Sequence, residues 1–260
     1  MAPDQADAAQ DDPGAVVAPL AIGTAGWRLP KRHQHLFPPD GSHLERYAAR
    51  FPAVEINSSF YRPHRRATWE RWGSTVPEGF LFSAKTPRTL THEHRLVDPE
   101  PLLDDFISAV TGLGKRLGCL LVQMPPSLAF DPGTADRFFG AFRERYVHAL
   151  AAEPRHATWF TPEAEAVLQA HRVGRVGADP ACAPGGAEPA GWGGTVYFRL
   201  HGSPRMYYSE YDAGYLRTLV LRLEAARRVP DVSGPVWCIF DNTALDAATA
   251  NAAEVLSAVI

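Results

Sequence analysis

Cysteine is scarce in this 260-residue chain, and Cys119, Cys182 and Cys238 stand in neither paired nor metal-type spacing. A disulfide framework and a cysteine zinc site are therefore not expected, whereas a reducing, cytoplasmic setting is. No run approaches the roughly 18 consecutive apolar residues of a membrane span, so no membrane partner is expected. The N-terminus also lacks the basic-then-apolar layout of a secretory signal. An excess of one charge is missing too. The formal net charge is −3, and setting aside Asp4, Asp7, Asp11 and Asp12 leaves the remainder at +1. Such a balance argues against wholesale binding of nucleic acid. Neither an internal repeat nor an interdomain linker is visible.

Residues 1–19 are rich in Ala, Asp, Gln and Pro without periodicity and read as a disordered acidic tail. Residues 20–260 read as one domain, and 45% apolar content is enough for a large core. That domain holds eight short apolar runs, each of which stops on a polar residue. LAIGTAGW closes on Thr24 to Trp27, AVEIN on Glu55 and Asn57, FLFSAK on Lys85, and CLLVQ on Gln123. VHALAAEPRH closes on Glu153, Arg155 and His156, VGRVGAD on Asp179, TVYFRLH on Arg199 and His201, and PVWCIFDN on Asp241 and Asn242.

Continuous apolar runs are the mark of strands buried on both faces. Helical patterns lie between them, over residues 42–51, 68–76, 101–117, 134–146, 161–171, 212–229 and 245–259. Strand–helix alternation predicts a parallel sheet. The expected fold is a single α/β domain, an irregular (β/α)8 TIM-type barrel whose C-terminal mouth gathers all eight polar ends. The irregularity is at residues 180–194, PACAPGGAEPAGWGG, where Gly and Pro leave a loop in place of the helix between strands six and seven.

Several of these runs also resemble a known family. IGTAGW (22–27), VEINSSFYRP (54–63), FSAKTPRTLTHEHRL (82–96), LVQMPPSLAFD (121–131), EPRHATWF (153–160), YFRLHGSP (197–204) and FDNTALDAATANA (240–252) are similar, in this order, to the YecE-like proteins, domain-of-unknown-function family 72. The resemblance implies a TIM-type barrel and brings no agreed activity with it. Two places depart from the usual pattern: Pro154 between Glu153 and Arg155, and Ser203-Pro204 after His201-Gly202. Both bear on loop geometry.

The strand ends supply the candidate chemistry. Glu153 and Arg155, two residues apart, share one face of a strand. A carboxylate there can move protons and a guanidinium can hold a carboxylate or phosphate. A structural ion pair closing the top of the barrel is the bland alternative. Arg199 and His201 repeat the spacing on the seventh strand, where barrels often hold phosphate, and Tyr207 follows, able to stack on a ring. Glu55 and Asn57 share an inward face. Lys85 can serve as a base or Schiff-base former, or simply neutralise Glu55. Gln123 is a hydrogen-bonding wall residue, and Tyr61 and His156 lie in mouth loops. Further basic residues at strand ends and in the segments after them (Lys31, Arg32, Arg62, Arg65, Arg66, Arg88, Arg95 and Arg205) would draw anions to the mouth.

The leading expectation is an enzyme, isomerase or hydrolase, that takes a small anionic ligand such as a sugar phosphate or nucleotide. Glu153, His201, Asp241 and Lys85 would do the chemistry, with Glu55, Asn57, Tyr61, Gln123, Arg155, His156, Asp179, Arg199 and Tyr207 around the ligand. No cofactor is expected. A first alternative is a metal-dependent isomerase or phosphodiesterase of xylose-isomerase-like type, with Mn, Mg or Zn on Glu153, Asp179, His201 and Asp241. A second is a non-catalytic nucleic-acid-binding module. Substrate and oligomeric state are not legible in the sequence.

Overall fold

The computed structural model describes residues 17–259, so most of the expected tail, residues 1–16, lies outside the described residues. Two residues assigned to that tail belong to the fold: Ala18 N donates to Arg227 O at 2.9 Å, and Pro19 O accepts from Val236 N at 2.9 Å.

The apolar runs form β1 (Leu20–Thr24), β2 (Ala53–Ile56), β3 (Leu81–Lys85), β4 (Leu117–Gln123), β5 (Leu150–Glu153), β6 (Gly174–Arg175), β7 (Gly177–Asp179), β9 (Tyr197–Leu200) and β10 (Val236–Phe240). Between them lie α1 (His43–Ala48), α2 (Ser58–Tyr61), α3 (Arg66–Thr75), α4 (Glu100–Val110), α5 (Pro132–Arg145), α6 (Pro162–Ala170), α7 (Ala213–Ala226) and α8 (Ala247–Ala258). Local chemistry sets the helix starts. Ser42 and Glu45 form a reciprocal capping box at α1. The side chains of Asp131, Thr161 and Asp212 accept backbone N–H groups at the starts of α5, α6 and α7. Pro132 and Pro162 fill first-turn positions where no N–H is needed.

The result is a mixed α/β fold with parallel sheets. The continuous eight-strand ladder expected from the sequence appears instead as two sheets, of order β1-β10-β9-β7 and β2-β3-β4-β5-β6-β8, where β8 is the short strand Ala190–Gly191. The two interruptions differ in kind. At β1 and β2, the Tyr47 hydroxyl from α1 is inserted between the backbones. It accepts from Thr24 N at 2.8 Å and donates to Ala53 O at 3.1 Å. A parallel bridge, Ala25 to Glu55, resumes beyond it, with Gly26 N donating to Glu55 O at 2.8 Å. The sixth run divides at Val176: β6 pairs with β5, β7 pairs with β9, and Val176 N still donates to Ala152 O at 2.9 Å. The Gly/Pro-rich segment carries no helix. It adds β8 (Ala190–Gly191), antiparallel to β6.

Alternation along the strands builds two cores. Val54, Phe82, Leu120, Leu150, Phe198 and Phe240 face the helices. Ala21, Ala53, Cys119, Leu121, Ala151, Ala178, Tyr197, Trp237 and Ile239 form a second, separate core on the opposite face. There the Tyr197 and Trp237 rings stack at 5.7 Å, and a Cβ on Gly118 would come within 2.6 Å of Trp237. Small residues opposite large aromatics fill this space. Farther along the same face, toward the strands' C-terminal ends, the residues become Glu55, Lys85, Gln123, Glu153, Arg199 and Asp241. The period-2 geometry therefore gives one face an apolar start and a charged finish.

Candidate functional site

Arg199 is the centre of that charged finish. It is fully buried, and a buried guanidinium is tolerated only when its donors are matched by anions. Three strands supply them. Glu55 on β2 accepts from Nε at 2.9 Å and from Nη2 at 2.8 Å, a bidentate pair. Glu153 at the end of β5 accepts from Nη1 at 3.0 Å, and Asp241 just after β10 lies 2.9 Å from Nη2. Expected as a ligand-holding cation, Arg199 spends its donors on carboxylates of its own chain.

His201, also fully buried, bridges two of these carboxylates. Nε2 is 2.7 Å from Glu153 Oε1, and Nδ1 is 3.2 Å from Asp241 Oδ2. Burial alone would lower its pKa, but Glu153 and Asp241 raise it. The same charges fix the acids. Burial pushes Glu153 up, yet Arg199, His201 and Arg155 hold it well below the usual carboxylate range. Burial likewise pushes Asp241 up, and Arg199 and His201 bring it down. Around neutral pH these groups are locked as anions against cations, which removes Glu153 as a proton donor.

Lys85, at the end of β3, is different. It is 4% exposed, and its Nζ lies 3.8 Å from the centroid of the Phe60 ring. Among the described residues the amine has no hydrogen-bond or ion-pair partner. The expected pairing of Lys85 with Glu55 does not form, because Arg199 takes both Glu55 oxygens. Desolvation, then the nearby Arg199 charge, bring its pKa down to about 8, with Glu55, Glu153 and Asp241 opposing only in part.

The other expected residues divide around this cluster. Arg155 joins it, with Nη1 donating to Glu153 Oε1 at 2.9 Å and Nη2 lying 3.6 Å from Met206 Sδ. Gln123 is beside Glu153 in register on β4, and Tyr207 lies edge-on to His201 at 5.6 Å. Asp179 accepts the Tyr211 hydroxyl at 2.8 Å, and that oxygen in turn accepts from Gly202 N at 2.8 Å, which braces the loop after His201. His156 caps the turn at residues 157–159 through Thr158. Asn57 lies past the end of β2, with a buried Oδ1 that has no partner. Tyr61 is 69% exposed and lines a separate cavity of about 310 Å³ that also includes Phe60, Arg62, His64, Trp69 and Phe106. Several of the outlying basic residues make surface contacts of their own, such as Arg66 with Glu70 and Arg88 with Glu93, of a kind worth little energetically.

Tyr197 and Ser83 are members that the sequence reading missed. The Tyr197 hydroxyl donates to Glu55 Oε2 at 2.9 Å and lies 2.8 Å from Ser83 Oγ. Each precedes an expected site residue by two positions (Ser83 before Lys85, Tyr197 before Arg199), so the same-face rule could have found them.

The four-ligand metal arrangement is not assembled. Glu153, His201 and Asp241 converge on a guanidinium, while Asp179 turns to Tyr211. Among the described residues no group of three or more His, Cys, Asp or Glu side chains is arranged to hold a metal ion. Nor is any helix among them long and apolar enough to cross a membrane.

Comparison with known proteins adds a family. The UPF0759 protein YunF of Bacillus subtilis is 28% identical over 154 residues, covering 55% of this chain and 53% of its own length. The UPF0759 protein YecE of Escherichia coli is 30% identical over 82 residues, covering 32% of this chain and 30% of its own. The chain thus spans about half or less of the length of these relatives. A solved DUF72 family protein from Thermotoga maritima superposes with a TM-score of 0.75 at 24% identity, over 93% of this chain and 99% of its own. A second, from Enterococcus faecalis, gives 0.75 at 20% identity, over 92% and 95%. The profile of the proteins of unknown function DUF72 matches residues 21–260, and the chain belongs to that family.

Proposed function

We propose that this protein is an enzyme built on an irregular (β/α)8 TIM-type barrel, taking a small anionic ligand at the C-terminal mouth. The separate core around Tyr197 and Trp237 supports the barrel, because one sheet face lined with side chains from β1, β2, β4, β5, β7, β9 and β10 is what a closed interior contains. The bridge at Ala25–Glu55 and the bond at Val176 span the two breaks in the ladder.

The observation that carries the enzyme reading is the Lys85 amine: buried, without an anionic partner, and next to a saturated charge cluster. Stability does not account for such a group, since a buried unpaired cation is costly. Function does, because a pKa of about 8 suits proton transfer near neutral pH. The acid–base role expected of Glu153 therefore passes to Lys85. Glu55, Glu153, Arg199, His201 and Asp241 become the rigid frame around it, and Arg155 is the cation best placed to meet a ligand anion. The three unpaired cysteines support a reducing, cytoplasmic setting.

The test is binding of a panel of phosphorylated and carboxylated metabolites, read by thermal shift and then by calorimetry. We expect a member of the panel to bind with micromolar affinity and Arg155→Ala to weaken it at least tenfold. A panel without stabilisation, or binding indifferent to Arg155 and Lys85 substitutions, overturns the reading.

A further inference from the structure

Arginine outnumbers lysine in this chain by 23 to three. Two of the three lysines, Lys31 and Lys115, are exposed, and Lys85 alone is buried. Of the other internal cations, Arg155, Arg175 and Arg199 each have an acid at hydrogen-bond distance, and the half-buried Arg143 donates to four backbone carbonyls. Arginine has one property that lysine lacks: it stays charged in any protein environment. The opposite property, a nitrogen that can lose its proton and become a nucleophile, is available only from the amine. Among these internal positions, the lysine alone has neither a carboxylate nor a carbonyl at hydrogen-bond distance from its charged group.

The geometry points to Lys85 as a covalent nucleophile that forms an imine with the carbonyl group of a small anionic aldehyde or ketone. Lys85 ends β3, Gln123 ends β4, and Glu153 ends β5 with Arg155 just beyond it; these strands are neighbours in the sheet. Two strand spacings separate β3 from β5, on the order of 10 Å. A carbonyl at Lys85 with its phosphate or carboxylate at Arg155 thus fits a compound of about three to five carbons. Burial of Lys85, only 4% exposed, favours the neutral amine, and the Phe60 ring on Nζ offsets part of that as a cation–π contact.

The step balances without any further reactant. The neutral Lys85 nitrogen attacks the carbonyl carbon, a C–N bond forms, and the carbonyl π pair moves to oxygen. That oxygen takes one proton from the amine and one from solvent and leaves as water, while the nitrogen lone pair closes the C=N bond of a protonated imine. Such an imine withdraws electrons from the adjacent carbon. It thereby activates cleavage or proton loss there, a reaction class that includes aldol cleavage and isomerisation.

The covalent role rests on the ligand site proposed above, and one experiment separates the two. The full chain is incubated with sodium cyanoborohydride and, in parallel, pyruvate, dihydroxyacetone phosphate, glyceraldehyde 3-phosphate and the neutral aldehyde propanal. Adducts are then located by peptide mass mapping. Reduction of the imine leaves a stable secondary amine, so the modified lysine keeps a mass tag. We expect Lys85 to be labelled at least tenfold faster than Lys31 and Lys115, and faster by anionic probes than by propanal. Lys85→Arg, checked for folding by its thermal transition, should lose that label alone. Labelling confined to Lys31 and Lys115 overturns the covalent role, whatever ligand binding shows. Selective labelling of Lys85 without preference for anionic probes upholds the nucleophile and instead overturns the anion site.

Discussion

Replacing Lys85 with Met should make this protein more stable, the reverse of the usual outcome for a buried residue. An ordinary lysine titrates near 10.4 and the folded Lys85 near 8, a gap worth about 3 kcal/mol against the charged folded state. Met removes that penalty. It also removes the contact between Nζ and the Phe60 ring, worth about 1 kcal/mol. The net gain at pH 7 is about 2 kcal/mol, or roughly 4–8 °C in Tm for a chain of this size. The pH dependence is more diagnostic than the size. Because the folded pKa is lowered, the penalty is complete below about 8 and fades as pH rises toward the unfolded value near 10.4. The Tm difference between variant and parent should therefore be flat from pH 6 to 8 and close by pH 11. Scanning fluorimetry across that range measures it. A variant less stable than its parent at every pH would mean that the amine is matched by an anion, and the case for a poised lysine would fail.

Glu153→Gln should lower stability by about 3–5 kcal/mol in urea denaturation, because it strips a carboxylate from Arg199, Arg155 and His201 together; a loss under 1 kcal/mol would show the cluster to be energetically idle. The sign of its pH dependence is fixed: the depressed Glu153 contributes stability above about pH 4.3, lost as pH falls through its folded value. His201, raised by its acids, contributes below about pH 6.5, and that share disappears as pH climbs through its folded value. Tyr47→Phe should cost about 1–3 kcal/mol by leaving Thr24 N and Ala53 O unpaired at the seam. Faster hydrogen exchange at the Thr24 amide would accompany it, and unchanged exchange would refute the insertion.

The legible part of this protein was what repeats at short range. Strands could be placed because runs such as PVWCIFDN are apolar throughout, as burial on both faces demands. The helix starts at residues 42, 161 and 212 could be placed because a side chain that caps a helix satisfies a backbone donor only three residues away, as Ser42, Thr161 and Asp212 do. Spacing by two put Glu153 with Arg155 and Arg199 with His201 on shared faces. What spacing cannot express is a partner on another strand. Arg199 meets Glu55 across 144 positions and Glu153 across 46, and those separations close only once the sheet exists. The same limit hid the Tyr211 hydroxyl that claims Asp179, and the Tyr47 hydroxyl that interrupts the ladder.

By itself the sequence determined the parallel α/β plan, the polar strand ends and the missing helix after β7, since each follows from local pattern and backbone chemistry. Tertiary structure alone decided which charges neutralise one another. Electrostatic energy in a dry interior depends on distances of a few ångströms between residues far apart in the chain. That is why Arg199 proved to be frame and Lys85 proved to be the exception.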